Sequence, residues 1–191
     1  NAKPAFINNH KVPDDFSFGE LPEDFDHFEP YLNNAMKRIP KLENIGIRKF
    51  FNGPEAFTPD TNYLLGETAE IKNFYVCCGF NSIGIQSAGG AGKVTAEWMM
   101  NGEVSEDIFS LDITRFEKFH SETKFITERV TETLGDLYAM HWPYKQHKTS
   151  RDQKKLPFHE SLKNKSACFG QIAGFERPMW FALNGSKPKY N

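Results

Sequence analysis

Apolar side chains recur at Phe25, Phe28, Leu32, Met36 and Ile39, three and four residues apart. That is the period of a helix with one buried stripe. Acidic residues lead this segment and Lys37 and Arg38 close it, matching the helix dipole, and Pro40 stops it. Pro30 inside the pattern predicts a break or a late start. The run IGIRKFF (45–51) alternates and predicts a strand, and FSF (16–18) predicts a short one. NGPEAFTPD (52–60) carries turn chemistry, an Asn-Gly pair and two prolines that hold their predecessors extended. NYLLGE (62–67) and residues 73–78 predict two further strands. A helix to about Asn101 follows, with Ala88, Ala91, Thr95, Trp98 and Met99 on one face and Gly102 as its stop.

The second half is more polar. DIFSLDITRF (107–116) predicts an exit strand or loop. Residues 121–140 predict a helix whose apolar stripe is Ile126, Val130, Leu134 and Leu137. YKQHKTSRDQKK (144–155) holds five Lys or Arg against one Asp and reads as a solvated loop. HESLKNKSACFGQIAGFERPMWF (159–181) reads as a short helix, a strand and an aromatic final element that serves as core or as an interdomain contact. The mixture predicts an α+β or α/β fold. Composition shifts between Gly102 and Thr123, which places a domain boundary so that residues 1–115 and 116–191 form the two parts.

One stretch asks for chemistry. GFNSIGIQSAGGAGK (79–93) places five glycines among fifteen residues, directly after an apolar strand. A Walker A loop fails, because Ser87 stands where its first glycine belongs and Val94 where its hydroxyl belongs. The dinucleotide spacing GxGxxG is absent as well. Two readings remain open. Either the loop and helix start present backbone N–H groups to a partial negative charge, or small residues let helix and strand pack closely. The N1–C2=O2 edge of a reduced flavin is a charge of the first kind.

Composition narrows the classes. The net charge of −2 argues against a general nucleic-acid binder and against a polybasic membrane anchor, and the apolar runs are too short to span a bilayer. Eighteen Phe supply an aromatic core. Three cysteines cannot make a complete disulfide set; Cys77 and Cys78 read as small buried hydrophobes in a reducing compartment. The six His are scattered, no Cys-x2-Cys occurs, and no metal site is expected. Asp60 reads as a turn cap or as a support for a ligand site. No leader peptide shows at the start, whose first residue is Asn, as in a processed form or a fragment.

Three stretches together resemble the flavin-dependent sarcosine and dimethylglycine dehydrogenases, within the D-amino-acid-oxidase-like FAD oxidoreductases. They are NGPEAFTPDTNYLLGE (52–67), GFNSIGIQSAGGAGKVTAEWMMNGEVSEDIFSLDITRF (79–116) and GFERPMWF (174–181). The regulatory subunit of pyruvate dehydrogenase phosphatase resembles a non-catalytic relative with the same pattern. The resemblance covers roughly residues 24–181 and implies the C-terminal portion of a D-amino-acid-oxidase-like FAD/substrate domain followed by a small α+β domain.

The resemblance implies FAD as cofactor, with its main binding half, the GxGxxG region, lying outside this chain. Phe80, Asn81, Ser82, Ile83, Gly84, Ile85 and Gln86 match the family segment that lies against the isoalloxazine ring. Gln86 departs from the related monomeric sarcosine oxidases, which carry a substrate-binding Lys there, and Gly53 stands where those oxidases carry a flavin-linked Cys. No catalytic residue is assigned. The implied activity is oxidation of the N-methyl group of sarcosine or dimethylglycine by hydride transfer to flavin. A regulatory subunit without turnover, or an inactive fragment, is the alternative. The implied partners are a small N-methyl amine, the remainder of the FAD domain, and a T-protein-like domain with tetrahydrofolate. Neither nucleic acid nor membrane is expected. The expected compartment is the cytoplasm, or the mitochondrial matrix in a eukaryote.

Overall fold

The helix α1 (Phe25–Arg38) starts where the Asp24 carboxylate accepts a hydrogen bond from the His27 N–H at 3.0 Å. That bond satisfies one of the donors a helix start leaves unpaired. The helix runs unbroken through Pro30, so neither the break nor the late start occurs. Loss of one backbone bond there is offset by Phe25 and Phe28, whose rings pack on Phe50 at centroid distances of 4.8 and 5.3 Å. IGIRKFF and FSF are not strands. Alternation favours extended backbone, but a strand needs a hydrogen-bonded ladder, and among the described residues of this unit neither segment has one. Residue 21 reaches Asn52 through a single N–H···O=C bond of 2.6 Å, and Phe18 turns left-handed at φ +50°.

The computed structural model describes residues 3–6, 11–140, 143, 145–172 and 174–189. They divide into two units, residues 5–55, which hold α1, and the rest of the chain. Mixed helix and strand content agrees with the expected α+β class.

The larger unit opens with an antiparallel ribbon, β1 (Leu64–Glu67) and β2 (Tyr75–Cys78). Leu65 is fully buried, and its N–H donates to the Leu111 carbonyl at 2.9 Å, so the 107–116 segment is a loop tied to β1. The helix α2 (Gly84–Asn101) follows and ends at Gly102, whose φ of +78° closes the last turn through an N–H bond to the Trp98 carbonyl. The stop falls where the sequence placed it.

The contact between α2 and the ribbon is made by part of the predicted face, Ala91 and Trp98. Gly66 has φ +106°, and a Cβ there would meet Trp98 Cζ3 at 2.3 Å. The indole thus lies on bare backbone, with Tyr75 edge-on to it at 6.3 Å. Ala91 is buried, whereas Ala88 and Met99 of the predicted face are exposed. A Cβ added at Gly89, Gly90 or Gly92 would meet nothing within 4 Å. Close packing through the helix glycines is therefore not their use within this chain. Cys77 and Cys78 are exposed rather than buried; they point to opposite faces of a two-stranded ribbon that has no further strand beside it among the described residues.

The second part of this unit contains α3 (Thr123–Leu137), β3 (Lys154–Lys155), α4 (His159–Asn164), β4 (Ala167–Ile172) and β5 (Phe175–Phe181). The strand order is β3-β5-β4, with β3 parallel and β4 antiparallel to β5. A register shift at Cys168/Phe169 sits opposite Pro178, a residue that cannot donate to a ladder. The buried stripe of α3 is Phe125, Arg129 and Thr133, one step round from the predicted one, and Ile126 and Leu137 are exposed. Polar demand decides this rotation: Arg129 Nη2 donates to the Thr149 carbonyl (2.7 Å) and to Gln171 Oε1 (3.0 Å). The aromatic end of the chain is not core, since Met179, Trp180 and Phe181 each keep 39% of their surface exposed.

Candidate functional site

The site is built where three loops meet: 58–62 before β1, 79–83 between β2 and α2, and 111–116 after α2. Asn81 is 3% exposed and stitches the first two together. Its Oδ1 accepts from the Thr58 N–H at 2.8 Å, and its Nδ2 donates to the Gly79 carbonyl at 2.5 Å. The turn around it is strained. Asn81 and Ser82 both have left-handed backbone, at φ +48° and +66°, after Gly79 at +67°. Asn tolerates that region; Ser does so poorly, and such strain persists only where surrounding contacts over-determine it.

Asp60 is a turn cap, the first of its two readings, and it also clamps an arginine. Its Oδ1 accepts from the Asn62 N–H at 3.1 Å, closing the turn, and its carboxylate takes a forked pair from Arg115, Nε to Oδ2 at 2.7 Å and Nη2 to Oδ1 at 3.1 Å. Arg115 also donates from Nη1 to the carbonyls of Leu111 (2.8 Å) and Asp112 (3.0 Å), and from Nη2 to that of Asn62 (2.8 Å). The guanidinium carries five N–H donors, and five bonds are present. Its plane lies over the Phe116 ring at 4.3 Å.

The sequence-predicted residues fall along this turn and the helix start. Phe80 stacks on Tyr63 at 4.8 Å and 20°. Ile83 caps α2 without a side-chain hydrogen bond, and no acidic residue lies in the first turn. The leading N–H groups of Gly84, Ile85 and Gln86 therefore lack the usual capping oxygen. Gly84 leaves a Cβ ordinary room, 3.5 Å from Phe80 Cβ, and Ile85 is fully exposed. An uncapped, positively polarised helix start with small and outward-pointing residues fits the edge of a planar, electron-rich ring. Arg115, Thr58 and Tyr63 escaped the sequence reading. The signal for Arg115 was present as an arginine within the otherwise apolar and acidic stretch IFSLDITRF.

A second polar cluster lies in the later part of the unit, and it corrects the reading of 144–155 as a solvated loop. Glu176, 1% exposed, is paired through both oxygens with Arg151 and also accepts from the Asp152 N–H at 3.0 Å and Gln171 Nε2 at 3.1 Å. Glu132 takes the Lys148 and Thr149 N–H groups at 2.6 and 2.8 Å. Burial pushes both carboxyls up, but the hydrogen bonds outweigh it and hold each below the ordinary value. Glu132, Asp136 and His147 each bring one possible ligand atom within 4.8 Å of the others. Lys145 Nζ already lies 2.5 Å from Asp136, and Glu132 holds the loop backbone, so these groups read as a loop anchor. No helix of the described residues is long and apolar enough to cross a membrane.

Comparison with known proteins agrees with this geometry. Residues 8–98 match the family described as FAD dependent oxidoreductase, and residues 101–155 match the FAD dependent oxidoreductase central domain. The chain is 40% identical over 174 residues to 4-methylaminobutanoate oxidase (formaldehyde-forming) of Paenarthrobacter nicotinovorans, covering 91% of this chain and 21% of that protein. It is 37% identical over 181 residues to mitochondrial sarcosine dehydrogenase of Mus musculus, covering 94% and 20%. It is equally 37% identical over 181 residues to the mitochondrial pyruvate dehydrogenase phosphatase regulatory subunit of Mus musculus, covering 95% and 20%. The chain thus spans about one fifth of the length of the curated relatives it matches. With these two adjoining matches, the chain belongs to the FAD dependent oxidoreductase family and is similar over most of its own length to sarcosine dehydrogenase.

Proposed function

We propose that this chain is part of an FAD-dependent enzyme that oxidises the N-methyl group of a small amine such as sarcosine or dimethylglycine. The observation that carries the reading is the uncapped first turn of α2 behind the strained Asn81–Ser82 turn. Phe80, Asn81, Ser82, Ile83, Gly84, Ile85 and Gln86 are the residues that would hold one edge of the cofactor. FAD, when bound, supplies the acceptor for a hydride from the N-methyl carbon; water converts the resulting imine to formaldehyde and the demethylated amine. The role of this chain is to offer backbone N–H groups to negative charge, fixed in advance so that no reorganisation is needed during reaction. Tetrahydrofolate, bound by a T-protein-like domain of the whole protein, is the proposed one-carbon acceptor.

The exposed β2 thiols and the unfilled glycine face of α2 support a missing neighbour, the rest of the FAD domain. Helix glycines cost about 1 kcal/mol each relative to alanine, and among the described residues no neighbour lies within 4 Å of a Cβ at Gly89, Gly90 or Gly92 to offset that. A boundary after residue 115 is supported by Arg115, which ties the segment up to that point to Asp60. A mitochondrial matrix location in a eukaryote is supported by the relatives named mitochondrial. A second reading, a regulatory subunit without turnover, is favoured by the 37% identity to the phosphatase subunit, equal to that of sarcosine dehydrogenase.

In the full-length protein, stoichiometric FAD and turnover of sarcosine or dimethylglycine are expected under the first reading, and neither turnover under the second. The isolated 191-residue chain is expected to bind FAD poorly. Gly84→Val is the local test. Gly84 has room for a Cβ within this chain, so the fold is expected to persist while FAD content and turnover fall together. Unchanged FAD content and rate would remove residues 80–86 from the cofactor site.

A further inference from the structure

Arg115 lies in the stretch that matches the central domain, yet its side chain is committed to the loops that flank the helix start. A path of bonds runs from it to the strained turn. Arg115 grips Asp60; Asp60 Oδ1 lies 3.1 Å from Thr58 Oγ1 and holds the Asn62 N–H; the Thr58 N–H binds Asn81 Oδ1. Asn81 and Ser82 are the two left-handed residues from which α2 is launched. The Arg115 side chain is only 8% exposed, while the Asp60 carboxylate keeps 35% of its surface, so the guanidinium half of the clamp is the shielded one. Lysine could not replace it, because one ammonium offers three donors and no planar fork.

Resting on the flavin reading of residues 80–86, we propose that Arg115 is a positioning residue for the cofactor: the segment 111–116 that follows α2 sets the geometry of the flavin-facing turn. The clamp acts by holding Thr58 and Asn81 in place, which keeps the first turn of α2 aimed.

The test uses the full-length protein, apo and FAD-saturated, with Arg115→Met, Arg115→Lys and Asp60→Asn. Arg151→Met serves as the control, since it breaks a comparable arginine–carboxylate clamp, the one with Glu176 in the second polar cluster. Two quantities are read: the FAD dissociation constant, and amide hydrogen exchange at 58–62 and 79–83 in the apo form. Arg115→Met is expected to weaken FAD binding by about tenfold or more and to speed exchange at 79–83, with Arg115→Lys intermediate. Asp60→Asn keeps the side-chain shape and should shift both readouts in the same direction, even if Arg115→Met fails to fold. Arg151→Met is expected to lower the unfolding midpoint while leaving FAD affinity and exchange at 79–83 near wild type.

Wild-type FAD affinity and exchange in Arg115→Met, or equal FAD loss in Arg151→Met, would overturn the proposal. Absence of FAD from the wild-type protein would instead sink the flavin reading, and the exchange measurement would still decide whether the clamp orders the turn.

Discussion

Replacing Glu176 with alanine is expected to cost about 3–5 kcal/mol of stability, because it leaves the Arg151 guanidinium without its partner in a nearly sealed site. The carboxylate is 1% exposed and accepts from Arg151, the Asp152 N–H and Gln171, so four donors on two segments, the 151–152 loop and β4, lose their acceptor at once. Urea unfolding followed by far-UV circular dichroism measures the loss. Glu176→Leu combined with Arg151→Met is expected to recover most of it, since removing both charges avoids the stranded ion. A single-mutant loss below about 1 kcal/mol would mean that the network is as weak as a surface pair.

The same carboxylate ties stability to acid. Its folded form is held below the ordinary value of 4.5, despite burial, by hydrogen bonds from Arg151 and the Asp152 N–H. The unfolded chain therefore takes up the proton first as pH falls. The stabilisation is complete above the ordinary carboxylate range and drains away as pH drops from 4.5 downward. Glu132, depressed by its bonds from Thr149 and Lys148, acts in the same window. Unfolding midpoints measured across acidic pH are expected to fall steeply in the parent chain and less steeply in Glu176→Gln.

Gly66→Ala is the second large effect. The position combines φ +106° with a would-be Cβ 2.3 Å from Trp98 Cζ3 and 2.5 Å from Cη2. Backbone strain and overpacking together are expected to destabilise by about 2–5 kcal/mol. Pairing it with Trp98→Leu removes the clash but keeps the strained φ, so partial recovery is the expected outcome in a double-mutant cycle. Full tolerance of Gly66→Ala alone would mean that α2 does not rest on the ribbon through this contact.

These two sites differ in how visible they are along the chain. Gly66 lies in a short strand and Trp98 on a helix, and no local pattern announces that one must be bare for the other. Glu176 sits within an aromatic run and Arg151 within a basic one, so each was read by its neighbours: one as part of a hydrophobic element, the other as a solvated loop. Both readings failed because a buried charge is identified by its partner, and the partners lie far apart in sequence. The α3 stripe failed for the same reason. Periodicity correctly proposed a helix, but Arg129 had to reach Thr149 and Gln171, and that need turned Phe125, Arg129 and Thr133 inward. IGIRKFF had the alternation of a strand and lacked a ladder.

What the sequence determined by itself was whatever depends on neighbours a few residues apart. The stop of α2 at Gly102, the existence and end of α1, the two strands of the ribbon and the family motifs at 52–67, 79–116 and 174–181 all belong to this class. Helix periodicity, capping and turn chemistry are local energies, so they can be read locally. Only the tertiary structure decided which face each helix buries and which charges are paired. It also placed Asp60, Thr58, Asn81 and Arg115 in one network behind the helix start. Those outcomes depend on which distant groups arrive to replace water around a polar atom, and that competition is settled only when the chain has closed on itself.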